Sequence, residues 1–169
     1  MEKCNKVCIG NNMNRVKKKL LCLAIGEFAA LCAFIFLYRS LSFALSIGIA
    51  SFMAFLYLML ILLQGSMYWF YRYLLVMKKE RFGLTTIRFL KFLRRINMII
   101  LVVISVLIPF TKSSNEDLII AIVVFLFGII EYINYYWYRL SYGKSGFNIR
   151  ILLNTKLKKS TINKLINKC

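Results

Sequence analysis

The sequence contains no histidine, and only six of its 169 residues are acidic: Glu2, Glu27, Glu80, Glu116, Asp117 and Glu131. Without histidine the chain lacks the usual general acid and base, the triads built on it, and a common metal ligand. No glycine-rich phosphate loop and no nucleophile elbow is present either. The sequence therefore predicts a protein that is not an enzyme and that binds no cofactor and no metal. A membrane enzyme acting on lipid stays open as a third alternative.

Cysteine occurs five times, and an odd count argues against a disulfide framework. Cys4, Cys8 and Cys169 could share one side of a membrane, but they lack a fourth ligand and a finger-like spacing. We therefore predict free thiols rather than a zinc site.

Apolar residues are abundant instead. They make up 60% of the chain, and the mean hydropathy is +0.69, more than a soluble domain of this length can bury. The first apolar run continues past the length of a signal peptide without a small-residue cleavage site, so it predicts a retained helix. Runs of about 20 residues suffice to cross the hydrocarbon core. We predict four spans, at about 20–38, 41–71, 96–110 and 118–138.

Two features set the predicted boundaries between these spans. Arg39 and Ser40 predict a short turn after the first span, and Pro109 helps to stop the third. Residues 111–117 then form a loop. The result is an all-α, four-helix transmembrane bundle with a basic N-terminal segment (1–19), a membrane domain (20–138) and a basic tail (139–169).

The net charge of +18 is distributed unevenly. Of the 24 lysines and arginines, 22 fall in the N-terminal segment, in the connector 72–95 and in the tail. The positive-inside rule accounts for this bias, so a nucleic-acid partner is not needed to explain it. We predict a multi-pass protein of the plasma membrane with both termini cytoplasmic and with anionic lipid headgroups as partners.

Three polar side chains interrupt the spans: Glu27, Gln64 and Glu131, with Asn134 one turn below Glu131. At ~1.5 Å rise per residue, all three lie roughly 10–12 Å from the cytoplasmic boundary. An ionisable residue inside a span is by default a candidate functional residue. One interpretation is proton-coupled transport that uses Glu27 and Glu131. The other is structural, with Gln64 hydrogen-bonded to a carboxyl and the layer holding the helices together.

Small and aromatic residues suggest helix packing and interfacial anchoring. A small residue recurs every fourth position in a stripe suited to close helix packing, against the first span or a partner: Ser42, Ser46, Ala50 and Ala54. Rings near the cytoplasmic ends predict an aromatic belt, with a ligand cage as the alternative: Tyr68, Trp69, Tyr71, Tyr135, Trp137 and Tyr138. The third span, rich in branched aliphatics and with Ser105 as its main polar residue, is expected to face lipid.

Residues 86–96 form an amphipathic stretch. Four cations share one side at helical spacing and are predicted to contact lipid headgroups: Arg88, Lys91, Arg94 and Arg95. The stretch is either a separate helix in the interface or an extension of the third span. In the tail, residues 147–153 alternate like a strand, and residues 157–166 show no clear period.

The pattern Gln64-x3-Tyr68-x2-Tyr71-Arg72 returns as Glu131-x3-Tyr135-x2-Tyr138-Arg139. Such a recurrence fits either a parallel internal repeat or two helices that end alike at the same interface. Both patterns are expected to run from outside to inside.

The stretches QGSMYW and EYINYYWYRLSY resemble those of small four-span integral membrane proteins of low-GC bacteria, a resemblance that implies no activity. The first-span glutamate and the span number are similar to those of small multidrug exporters. With so few catalytic groups, the sequence favours an accessory, regulatory or immunity-type component that binds another membrane protein. The alternative is a small proton-coupled transporter. Both interpretations allow a homo-oligomer.

Overall fold

The computed structural model describes residues 2–44, 47–80, 82–138 and 160–166, with side chains in the first helix from Asn14 to Phe43. These residues form α1 (Glu2–Ala44), α2 (Ile49–Lys78), α3 (Leu84–Thr111), α4 (Asn115–Tyr136) and α5 (Thr161–Ile166). The first four helices are each long and apolar enough to cross a membrane. The described residues thus confirm the prediction of a helical protein with four helices able to span a membrane. The side on which the termini lie stays a prediction.

Helix α2 is the centre of the bundle. It packs along α1 on one side and α4 on the other, and α3 contacts it less extensively. Ala50, Ala54, Leu58 and Ile61 of α2 have no solvent exposure. By contrast, only 11% of the most apolar part of α1 and 17% of that of α3 is buried within the chain. Lipid-facing surface, predicted for α3, is therefore shared by α1 and α3.

Two tyrosine rings fix the approach of α4 to α2. A Cβ added to Gly65 of α2 would lie 2.7 Å from the hydroxyl of Tyr135, and one added to Gly128 of α4 would lie 2.9 Å from the ring of Tyr57. In each helix, a glycine therefore leaves the space that a tyrosine ring of the other helix occupies. Small residues at such crossings permit the close backbone packing that drives helix association in lipid.

The carboxylate of Asp117 joins the N-termini of α2 and α4 and is fully buried. It accepts hydrogen bonds from the backbone N–H groups of Gly48 (3.0 Å), Ser51 (3.1 Å) and Ser113 (3.1 Å). The Ser51 hydroxyl lies within hydrogen-bond distance of both the carboxylate and the main-chain oxygen of Asp117. Ser114 caps α4 by accepting from Asp117 N–H at 3.1 Å.

This arrangement, the Asp117 clamp, satisfies N-terminal donors of α2 from a neighbouring helix. The N-cap of α2 is Gly48, which has no side chain to cap with. Orphan N–H groups at a helix start need an acceptor, and a negative charge there is favoured by the helix dipole. Asp117 was expected in the loop 111–117 but lies in the first turn of α4, so the prediction was wrong about this residue.

The boundary between the first two helices lies later than predicted. Helix α1 continues through Arg39 and Ser40 to Ala44, and α2 begins at Ile49. The apolar residues after Ser40 extend the helix, and Arg39 remains exposed with its long side chain outside. The break falls instead beside Gly48. The predicted stripe is consequently split: Ser42 lies on α1, Ala50 and Ala54 are core residues of α2, and Ser46 lies outside the described residues.

Helix α3 is one continuous helix from Leu84, so residues 86–96 extend the third span rather than form a separate interfacial helix. Leu90 of this stretch is buried, while Phe89 and Phe92 are exposed. Pro109 lies inside α3, which ends two residues later at Thr111. Proline removes one helical hydrogen bond but does not end the helix at its own position.

Helix directions follow from cross-helix contacts. The Asp117 clamp brings the starts of α2 and α4 together, so these two helices run in the same direction. Ser66 of α2 donates to the carbonyl of Ala24 on α1 at 3.1 Å, and Tyr71 of α2 meets Thr86 of α3 at 3.3 Å. Helices α1 and α3 therefore run opposite to α2 and α4. We call the end with Tyr71 and Thr86 the basic end.

The last described segment packs onto the basic end. Ser160 N–H and the Asn163 side chain both donate to the carbonyl of Trp137, at 3.0 and 3.1 Å. The Ser160 hydroxyl caps α5 by accepting from Asn163 N–H, and Ile162 is buried. The tail is thus helical at 161–166 and tied to the end of α4. The strand-like pattern at 147–153 lies outside the described residues.

We expect Asp117→Ala to lower the free energy of unfolding by about 3 kcal/mol, because several buried donors lose their acceptor. Asp117→Asn keeps one carbonyl oxygen and should cost less. Unfolding by denaturing detergent, followed by circular dichroism in mixed micelles, measures both. Glu116→Gln is the matched control, since Glu116 is exposed next to the clamp. Equal stability of Asp117→Ala and Glu116→Gln would contradict the role given to the clamp.

Candidate functional site

The predicted polar layer lies at one level near the basic end but separates into two groups. Gln64 faces α3 and the end of α4, where it makes its hydrogen bonds. Glu27 lines a cavity formed by α1, α2 and α4, together with Asn134. Among the described residues no hydrogen bond joins Gln64 to a carboxyl group, so the predicted pairing of Gln64 with a glutamate is not observed.

The first group is a pair of side-chain amides between α2 and α3. Asn97 Nδ2 donates to Gln64 Oε1 at 2.6 Å, and Gln64 Nε2 donates to Asn97 Oδ1 at 3.2 Å. Tyr136 of α4 donates its hydroxyl to the same Gln64 oxygen at 2.9 Å. Three helices therefore meet at one hydrogen-bonded cluster, which we call the amide cluster. Asn97 has no solvent exposure and Tyr136 is buried.

Sequence reasoning missed Asn97. The third span was expected to begin at residue 96, which put Asn97 at its aqueous end, and the span was described as almost free of polar residues. In the structure α3 begins at Leu84, and Asn97 lies at its middle. Depth counted from the nearest cation gave no signal, because Asn97 lies two residues past Arg95 whereas Gln64 lies eight residues before Arg72.

The second group surrounds a cavity of about 120 Å³ between α1, α2, α4 and the start of α5. The polar lining includes Glu27 and Asn134, and Ser160 and Thr161 close it at the basic end. Its aromatic lining is Tyr68, Trp69 and Tyr135. We call this space the Glu27 cavity. A carboxylate among aromatic faces is a setting suited to a proton or a small organic cation.

Tyr68 and Tyr135 are not part of a lipid-facing belt. Their exposed fractions are 7% and 5%, and both line the Glu27 cavity. Neither hydroxyl has a hydrogen-bond partner with good geometry among the described residues. The Tyr135 hydroxyl lies close to the Glu27 carboxylate, and the Tyr68 hydroxyl lies close to Arg72. Each hydroxyl thus lies near a charged group without a well-aligned hydrogen bond, in a residue that lines the Glu27 cavity.

Glu131 lies beside this cavity rather than in its lining. Asn134 Nδ2 donates to Glu131 Oε2 at 3.4 Å, a long hydrogen bond within α4. Both Glu27 and Glu131 lie within electrostatic range of the Tyr135 hydroxyl. The two carboxyl groups, on α1 and α4, are thus brought near one phenol.

The Glu27 cavity does not continue along α2 towards the Asp117 clamp. Phe55, Leu58, Ile61 and Leu62 fill that part of the bundle with at most 2% exposure. In this conformation the cavity is therefore blocked from the side of the Asp117 clamp.

The other predicted aromatic and basic residues lie on the outside of the basic end. Arg72 stacks over Trp69 at 5.6 Å and Arg94 over Trp137 at 3.9 Å. Tyr71 is exposed, and Tyr138 is half-buried. Arg88, Lys91 and Arg95 are exposed as expected for residues that contact headgroups.

We expect the amide cluster to stabilise the contact between α2 and α3. Gln64→Leu leaves the Asn97 amide buried and unpaired, and Asn97→Leu leaves Gln64 with Tyr136 as its remaining partner, so each should cost about 1–2 kcal/mol. In the double variant the loss should be smaller than the sum, with a coupling energy of about 0.6–1.7 kcal/mol. Unfolding in mixed micelles gives all three values. Ser105→Ala is the control, because Ser105 is exposed on α3 and bonds only to its own helix. Strict additivity would contradict the pairing.

No protein-family profile, no curated protein and no solved structure matches this chain.

Proposed function

We propose that this protein is an accessory or regulatory component of the plasma membrane that binds another membrane protein, without catalysis of its own. The observation that carries the proposal is the surface of α1. Among the described residues this helix contacts chiefly α2, with Ala24 buried at that contact. A long spanning helix held on one side leaves most of its circumference for lipid or for a partner.

The side of α1 opposite α2 has a pattern that favours a partner helix. Four small residues follow each other there at spacings of four, three and four, and all are exposed: Cys22, Gly26, Ala29 and Ala33. Nothing lies within 4 Å of the position of a Cβ on Gly26. At 3.6 residues per turn these residues form one stripe, the α1 stripe. In lipid such stripes allow close approach of a second helix, whereas the exposed face of α3 has bulky side chains such as Val102 and Val106.

Photocrosslinking in native membranes tests this proposal. The full chain with Cys22 as its only cysteine is labelled with a thiol-reactive benzophenone, and the control has Cys32 as its only cysteine. Cys32 is also exposed but lies on another face of α1. We expect one specific adduct from Cys22 and at least a fivefold loss of it in Gly26→Leu and Ala33→Leu, because overpacking a helix contact costs about 1–3 kcal/mol.

Specificity depends on matched substitutions in α1. With the Cys22 probe, Cys32→Leu adds similar bulk off the stripe and should leave the adduct unchanged. An adduct between two copies of this chain would identify the partner as a second copy. Equal amounts of crosslinked adduct from Cys22 and Cys32, or an adduct unchanged in Gly26→Leu, would contradict the proposal.

A second candidate function is proton-coupled transport of a small cation. It is favoured by Glu27 and Glu131 near the Tyr135 hydroxyl, beside a cavity with aromatic walls. Such paired carboxyls can exchange a proton for a cationic solute. The packed core between the cavity and the Asp117 clamp means that transport requires the helices to move, since the cavity serves only one end in this conformation.

Vesicles with reconstituted protein and an imposed pH gradient test transport directly. Uptake of tetraphenylphosphonium and of ethidium should exceed that of empty vesicles and should fall at least tenfold in Glu27→Gln and Glu131→Gln. Glu116→Gln, outside the cavity, should transport at the unaltered rate. Uptake no faster than in empty vesicles, or full activity of Glu27→Gln, would rule transport of these cations out.

A further inference from the structure

A second cavity, of about 330 Å³, lies on the outside of the basic end between α3 and the end of α4. Helix α3 contributes Lys91, Arg94 and Arg95 to its wall, with Lys91 one turn before the adjacent Arg94 and Arg95 on the same side of the helix. Tyr132 and Trp137 form the opposite wall. Positively charged groups therefore line a concave space rather than a flat surface.

The wall of this cavity is held in place by contacts to α4. The Arg94 guanidinium lies 3.9 Å from the centroid of the Trp137 ring, close enough for stacking. The Tyr132 hydroxyl donates to the carbonyl of Arg94 at 3.3 Å. The end of α4 is itself fixed, because the Trp137 carbonyl accepts from Ser160 and Asn163. Arg94 is thus positioned from two sides.

The described lining of the cavity includes no carboxylate. Within residues 2–44, 47–80, 82–138 and 160–166, Lys91, Arg94 and Arg95 form no ion pair with a carboxylate. Like charges three and four residues apart on a helix repel each other, so a bound anion would relieve that repulsion. A stacked guanidinium presents its N–H donors in a planar fork that matches phosphate oxygens.

The surroundings select the kind of anion. Beyond Met98, which also lines the cavity, the outer face of α3 is aliphatic and exposed, with Ile99, Val102 and Val106 in succession. A ligand bound here therefore has its charge in the cavity and an apolar path along α3. This is the shape of a phospholipid, and basic pockets beside spanning helices are known to hold anionic headgroups.

We propose that Lys91, Arg94 and Arg95, with Trp137, form a specific site for the phosphate of an anionic phospholipid whose acyl chains lie along α3. The site is independent of the α1 stripe, so it stands whether or not the proposed partner exists. It also differs from general attraction of basic residues to the membrane, since Arg88 lies on the same helix outside the cavity.

Fluorescence quenching of Trp137 tests the site in the full chain. Trp69→Phe leaves Trp137 as the only tryptophan. Nanodiscs of phosphatidylcholine are titrated with brominated phosphatidylglycerol or, in the comparison, brominated phosphatidylcholine. We expect half-maximal quenching at a several-fold lower mole fraction of the brominated anionic lipid.

Charge-removing variants assign the effect to the cavity. Lys91→Gln and Arg95→Gln should each weaken the preference about fivefold, since a cation near the membrane surface contributes ~1 kcal/mol. Arg94→Lys keeps the charge but loses the fork and should weaken it less than Arg94→Gln does. Arg88→Gln is the matched control for general surface charge and should weaken the preference less than Lys91→Gln or Arg95→Gln does.

Two further outcomes would contradict the proposed lipid site. Equal quenching by both brominated lipids, or an equal loss in Arg88→Gln, would mean unspecific surface charge. Millimolar inorganic phosphate that displaces the brominated lipid would identify a soluble phosphate site instead. A native circular dichroism spectrum for each variant excludes unfolding as the cause of a loss.

Discussion

A carboxylate buried at a helix start is the interaction on which the bundle depends. Asp117 is fully buried yet has hydrogen-bond donors around it from Gly48, Ser51 and Ser113. Because lipid offers no water to substitute for these donors, the carboxylate and the N-terminus of α2 need each other. The clamp sets α4 parallel to α2 at one height, and that register brings Tyr135 over Gly65 and Tyr57 over Gly128.

The positions of four apolar helices could be predicted from the sequence because hydropathy and length report directly on burial in lipid. What failed was local. Arg39 and Ser40 were interpreted as a turn, although a helix end allows a cationic side chain to reach outward. The role of Asp117 was missed because its hydrogen-bond partners Ser51 and Gly48 lie 66 and 69 residues away. Helical periodicity relates only residues that are close in sequence.

The polar layer illustrates the same division. Depth is a one-dimensional quantity, and the rise per residue was enough to put Glu27, Gln64 and Glu131 at one level. Which of them meet depends on how each helix is rotated, and the structure separates Gln64 from the carboxyls and joins it to Asn97. The recurring pattern in α2 and α4 reflects two adjacent, parallel helices, but α1 packs along α2 far more than α3 packs along α4. That inequality favours similar helix ends over an internal repeat.

The two ends of the bundle therefore differ in what they can do. At the Asp117 end every polar group that the clamp gathers is used in holding helices together, and the core below it is closely packed. At the basic end, the buried Tyr135 hydroxyl lies beside Glu27 without a well-aligned hydrogen bond, and three cations of α3 line a cavity without a carboxylate partner among the described residues. Polar side chains cost less free energy near a membrane boundary than at its centre, so side chains without a full set of partners are tolerated there. Ligands, lipids or regulatory contacts are accordingly expected to act on this protein from its basic end.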